Sequence, residues 1–178
     1  MEANATHVPG PTVGRPGSRN RLTADEATAR IDRYLSDSRA VVLHHRRVPG
    51  SRARISHLVV GPAGLTLVDS HHYKVPGVKI DARGPRRTAQ ARSDLVKPVL
   101  DQVEEVRELL AGTPYAGVPI DGALARSGDE GPRVLQDLNS PRVIVSGVRT
   151  IATEAGRDGD MDPGRVQALA QLLDDALE

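Results

Sequence analysis

The feature that most limits how this chain can fold is the stretch 54–74. Two runs rich in β-branched and apolar residues, 55–60 and 65–69, flank Gly61-Pro62-Ala63-Gly64. A strand, a four-residue turn and a second strand read as a β-hairpin. Paired residue numbers in an antiparallel register keep a constant sum, so if Val60 faces Leu65, Ser56 faces Asp69. Side chains alternate between the two faces of a strand. Ser56, Leu58 and Val60 therefore share a face with Leu65, Leu67, Asp69 and His71. An ionisable cluster closes the open end of that face, where the apolar lining stops. Chemistry, if the chain has any, belongs there.

The elements on either side follow from periodicity and caps. Thr23 with Glu26 three residues on has the capping-box spacing and predicts a helix start. Its apolar stripe is Ala24, Ala27, Thr28, Ile31, Tyr34 and Leu35. Glu26 has two readings, closure of the capping box or a place in the site. A strand is expected over 40–47. If Arg47 faces Arg54, His45 faces Ser56 and joins the Asp69 cluster; a one-residue slip substitutes His44. A short strand is expected over 78–82, then a long helix over 91–111 carrying Leu95, Val99, Val103, Val106, Leu109 and Leu110. Pro98 marks a break in it or its true first turn. Gln102 lies on this helix, where a solvated face is the simplest reading.

Strands over 118–125, 133–138 and 141–145 and a short helix over 147–156 come next. Asp162-Pro163, a cap followed by proline, opens a last helix through Leu177. The order predicts a single α/β domain over 22–178, a mixed sheet with flanking helices. Residues 1–21 are Pro- and Gly-rich without apolar periodicity and read as a disordered leader.

The stretch resembles the nuclease-related domain (NERD) family, placed with the PD-(D/E)XK restriction-endonuclease-like folds. The resemblance rests on Val42-Leu43-His44, Arg47-Val48-Pro49-Gly50-Ser51, Ile55-Ser56-His57-Leu58-Val59-Val60, the Gly61–Gly64 turn and Asp69-Ser70-His71. It covers about 25–110. It implies a restriction-endonuclease-like mixed sheet and a Mg²⁺-dependent phosphodiesterase site. In such a site two carboxylates hold the metal, which activates the attacking water, and a lysine offsets developing charge. Ser56 stands where the family has aspartate and His71 where it has lysine. Serine offers only a neutral oxygen, and an unperturbed imidazole is mostly uncharged at neutral pH.

The candidate catalytic residues are thus Asp69, His71, Ser56, Glu26 and Gln102, with Asp69, His71 and Glu26 as candidate metal ligands. Three compensations are open. Lys74 reaches back, Glu26 replaces the missing carboxylate, or His45 and His71 with Asp69 take Mn²⁺ or Zn²⁺ in place of Mg²⁺. His57 and His72 read as ordinary strand and turn polarity. Arg47, Arg52, Arg54, Arg86 and Arg87, with Arg46 and Arg83 nearby, are candidate contacts to a DNA backbone.

Composition narrows the partners. The net charge of +1 demands no polyanion, and 21 Arg against 3 Lys points to a GC-rich genome more than to a binding code. Without Cys there is no thiolate metal site. Without Phe or Trp the core must be aliphatic, and base-stacking platforms are confined to three Tyr. No apolar run is long enough to span a membrane, and a cytoplasmic protein is the expectation. The expected function is a NERD-like domain with impaired chemistry, acting as a nucleic-acid-associated or interaction module. The alternatives are an active nuclease with a rearranged site and a structural interaction module. DNA is the candidate partner, no membrane is expected, and which protein partner an interaction module would take is left open.

Overall fold

Alternating side chains and a Gly-Pro-Ala-Gly turn produce the expected hairpin. β2 (Arg54–Gly61) pairs antiparallel with β3 (Gly64–Asp69), with Val60 opposite Leu65 and His57 opposite Val68. This computed structural model describes residues 22–51, 54–70, 80–81, 84–85, 89–126, 133–135 and 142–178. The expected leader lies outside them.

β1 (Val41–Arg47) pairs with β2 and β6 (Ile120–Arg126) lies parallel to β3. Beyond β6 come β8 (Val143–Gly147), also parallel, and antiparallel β7 (Arg133–Leu135). The result is a six-stranded mixed sheet of order β1-β2-β3-β6-β8-β7. Within the strand expected over 78–82 the described residues form β4 (Ile80–Asp81), paired with β5 (Gly84–Pro85) in a separate small sheet.

Helices cover both faces. α1 (Ala24–Leu35) and α3 (Val148–Ala155) bury Ala27, Ile31, Leu35, Val148, Ile151 and Ala152 against Val59, Val68, Ala123 and Ile144. α2 (Ala89–Leu110) and α4 (Pro163–Ala176) pack Val99, Val103, Val106, Leu110, Leu169 and Leu173 against Leu58, Val60, Leu65 and Leu67. The single α/β domain expected from element order is what forms. Its α1 stripe is narrower than periodicity alone gave: Tyr34 is exposed, and the buried set keeps the i, i+4, i+8 spacing of Ala27, Ile31 and Leu35. Pro98 sits inside α2, not in its first turn. Burial of the following Val99, Val103 and Val106 outweighs the local cost of a missing N–H.

β1 is not a uniform strand. The Arg47–Arg54 register holds along its length, yet His45 has φ +55° and leaves a gap in the ladder. A left-handed residue turns its strand over, as a bulge does. Before it, Leu43 joins the core under α2 and α4. After it, Arg46 pairs with Asp174 on α4, and Ile55 opposite enters that same core. Glu178 then clamps this end, with Arg47 N donating to Glu178 O at 2.7 Å and Glu178 N to Arg47 O at 2.9 Å.

The hairpin turn is wedged against α3. A Cβ built on Gly61 would stand 2.2 Å from the Ala155 carbonyl oxygen, a backbone atom that cannot rotate away. Gly117, by contrast, faces open space. We expect Gly61→Ala to lose roughly 2–3 kcal/mol of stability by urea unfolding and Gly117→Ala to stay within about 0.5 kcal/mol of wild type. Equal effects of the two changes would show that the turn is not held by α3.

Candidate functional site at the open end of the hairpin

Constant-sum pairing carries Ser56 to Asp69. The Ser56 hydroxyl donates to Asp69 Oδ1 across a long 3.4 Å, and both residues are almost fully buried. α2 brings Gln102 to the same side of the sheet. Its Nε2 donates to the Arg54 carbonyl at 3.3 Å, while its Oε1 is buried with no hydrogen-bond partner among the described residues. Gln102 is therefore not on a solvated helix face: it is 4% exposed. An amide oxygen buried this way costs about 1–3 kcal/mol, a strain that a donor or a cation would relieve.

Glu26 goes elsewhere. Its Oε2 accepts from Thr23 N at 2.9 Å and from the Thr23 hydroxyl at 3.2 Å, completing the capping box. The Thr23 backbone bond, then its hydroxyl, holds the Glu26 carboxyl below its usual range. α1 carries it on the face of Val59 and Val68, opposite the layer that supplies Gln102. His45 does not join Asp69 either. Its left-handed backbone swings the exposed ring to within 5.9 Å of the His57 ring and 6.2 Å of the His44 ring.

His71 and Lys74, and the basic candidates Arg52, Arg83, Arg86 and Arg87, lie outside the described residues. Arg47 and Arg54 are directly opposed at the end of the β1–β2 ladder. Like charges so placed repel, and an anion between them would be favoured. Arg46, instead, is taken up by Asp174.

A second polar set on the other face escaped the sequence reading. His57, expected to be plain strand polarity, is fully buried. Its Nδ1 lies 2.8 Å from His44 Nδ1, and its Nε2 lies 3.3 Å from Ser70 Oγ. His44 Nε2 in turn meets Asp32 Oδ1 at 2.8 Å. The signal was available: the sum that pairs Arg47 with Arg54 also pairs His44 with His57. Burial, then the neighbouring His44 and His45, pushes the His57 imidazole down to about 4, against a smaller upward pull from Asp32 and Asp69.

The described donors do not fit the two-carboxylate Mg²⁺ site that the family resemblance implies. The group seen across from Asp69 is the neutral Ser56 Oγ, where that site would need a carboxylate. Among the described residues no group of three His, Cys, Asp or Glu side chains is placed to hold a metal ion. Comparison with protein-family models, with curated proteins and with solved structures finds no match for this chain. No helix among the described residues is long and apolar enough to cross a membrane.

The depressed His57 pKa makes stability depend on pH with a definite sign. Between the ordinary value of 6.5 and about 4, the unfolded chain binds a proton that the folded chain refuses. Stability should therefore fall as pH drops through this window, by up to about 3 kcal/mol. Urea unfolding at a series of pH values checks this against His57→Gln. The variant should lose that part of the slope, and an unchanged slope would remove His57 as its source.

Proposed function

We propose that this chain is a NERD-like domain whose nuclease chemistry has been lost and which associates with nucleic acid without cleaving it. The observation that carries this reading is Ser56 directly across from the buried Asp69. At that place the mechanism implied by the resemblance needs a second carboxylate. One carboxylate and a neutral hydroxyl bind a divalent ion weakly and leave the charge on an attacked phosphate largely uncompensated. The opposed Arg47 and Arg54 at the same end of the hairpin supply the phosphate-facing charge that association needs.

A second reading draws on the orphaned Gln102 Oε1, whose desolvation a cation would relieve. It is a rearranged nuclease in which Asp69, with His71 from the adjoining segment, holds Mn²⁺ or Zn²⁺. Fluorescence anisotropy and gel assays on single- and double-stranded DNA, each with Mg²⁺ and with Mn²⁺, separate the two. We expect binding at low salt and no cleavage above background with either ion. Arg54→Ala should weaken binding across sequences and lower the salt slope by about 1. Cleavage abolished by Asp69→Ala would select the second reading. Neither binding nor cleavage would overturn both and leave a structural interaction module.

A further inference from the structure

Four side chains from four consecutive elements form one unbroken hydrogen-bond chain. Asp32 of α1 meets His44 of β1, His44 meets His57 of β2, and His57 meets Ser70 just past β3. Exposure falls along it, from 54% for the Asp32 side chain and 21% for His44 to none for His57 and 4% for Ser70. One end is in water and the other is in the core, one residue along from Asp69.

The chemistry of the contacts restricts where protons can sit. Two ring nitrogens 2.8 Å apart hold a single proton between them, since none leaves two lone pairs opposed and two would clash. An ionised carboxylate only accepts, so His44 Nε2 keeps its proton toward Asp32. When His44 is neutral, its Nδ1 is bare and the shared proton rests on His57 Nδ1. The neutral His57 then has a bare Nε2, and the Ser70 hydroxyl must donate to it. When His44 carries a second proton, that proton is the shared one, on His44 Nδ1. His57 then bears its only proton on Nε2 and donates it to Ser70 Oγ.

We infer that Asp32, His44, His57 and Ser70 form a proton relay between solvent and the end of β3, in which His44 sets the direction of the hydrogen bond at Ser70. The balance is simple. A proton passed to Ser70 Oγ from a water molecule, leaving hydroxide, or from hydronium, leaving water, displaces the hydroxyl proton to His57 Nε2, and the His57 Nδ1 proton passes to His44 Nδ1. Three hydrogen-bond partners change roles and one net charge is gained. That charge appears on His44 beside the Asp32 carboxylate, not in the core. His57 remains neutral before and after, as its burial requires.

Among the described residues, these charged and titratable groups act on His57. Asp32 from α1 and Asp69 from β3 attract a proton, while His45 from β1 opposes charge on His57. The relay is independent of the nuclease reading: it lies on the opposite face of the sheet from Gln102 and needs neither metal nor nucleic acid.

Two-bond ¹H–¹⁵N imidazole spectra of the ¹⁵N-labelled full chain, from about pH 8 to pH 5, test this across the histidine range. His57→Gln and His44→Gln assign the signals. We expect His57 to be the Nδ1–H tautomer at high pH and the Nε2–H tautomer at low pH, neutral throughout. The exchange should share one midpoint with the charging of His44. Asp32→Asn removes the acceptor that fixes the His44 Nε2 proton, so the His57 tautomer should no longer follow a single His44 state. Ser70→Ala removes the group that supplies the His57 Nε2 proton and should abolish the tautomer exchange; exchange that persists in this variant would show that Ser70 is not the inner end of the relay. A His57 that keeps one tautomer while His44 titrates, or that itself becomes charged in this range, would overturn the relay.

Discussion

Everything described here depends on the register of the β2–β3 hairpin. A slip of one residue would exchange all its faces at once, sending Leu58, Leu65 and Leu67 to the side of α1 and withdrawing Asp69 from Ser56. Two constraints prevent it. The four-residue turn is packed by Gly61 against the Ala155 carbonyl, and the aliphatic sets on the two faces are not interchangeable. With no Phe or Trp in the chain, each core is built from small and branched side chains. The sheet must then approach its helices closely, as Gly122 shows, where a Cβ would touch Val99 at 3.2 Å.

The second determinant is one residue. His45 takes a left-handed backbone that costs a non-glycine residue roughly 1 kcal/mol or more. The consequence is a division of labour along β1. Before the turnover, its inward and outward residues follow the hairpin's alternation, and His44 stands against His57. After it, Arg46 reaches α4 and Arg47 is clamped to Glu178. The imidazoles are thereby gathered on one face and the Ser56–Asp69–Gln102 set on the other. Two polar clusters in one small sheet stay apart because Ser56 and His57 alternate faces along β2, and the turnover keeps His45 with the other imidazoles.

Most of the fold was legible because its signals are local. The Thr23–Glu26 capping box, the Asp162-Pro163 start and the Gly61–Gly64 turn each name their own element, and the hairpin register follows by arithmetic. The candidate site was only partly legible. Ser56 opposite Asp69 needed nothing beyond that register. Gln102 looked like a solvated helix residue, because which side of α2 is buried depends on how the helix lies on the sheet. His45 was misplaced because no periodicity announces a positive φ at a histidine. His57 was read as ordinary strand polarity because strand alternation does not reveal that α1 covers that face, and the chain to Asp32 exists only once it does.

The proposed loss of nuclease chemistry turns on Ser56, which stands across from Asp69 where the resemblance implies a second carboxylate. Ser56→Asp restores that carboxylate without touching the segment beyond Ser70. Thermal unfolding of this variant and of wild type, with and without Mn²⁺, tests the claim most directly. Ser56→Asp should be destabilised alone by its two facing carboxylates and raised by Mn²⁺ far more than wild type, since ligand binding to the folded state stabilises it. A folded Ser56→Asp protein whose unfolding temperature is indifferent to Mn²⁺ would contradict the claim.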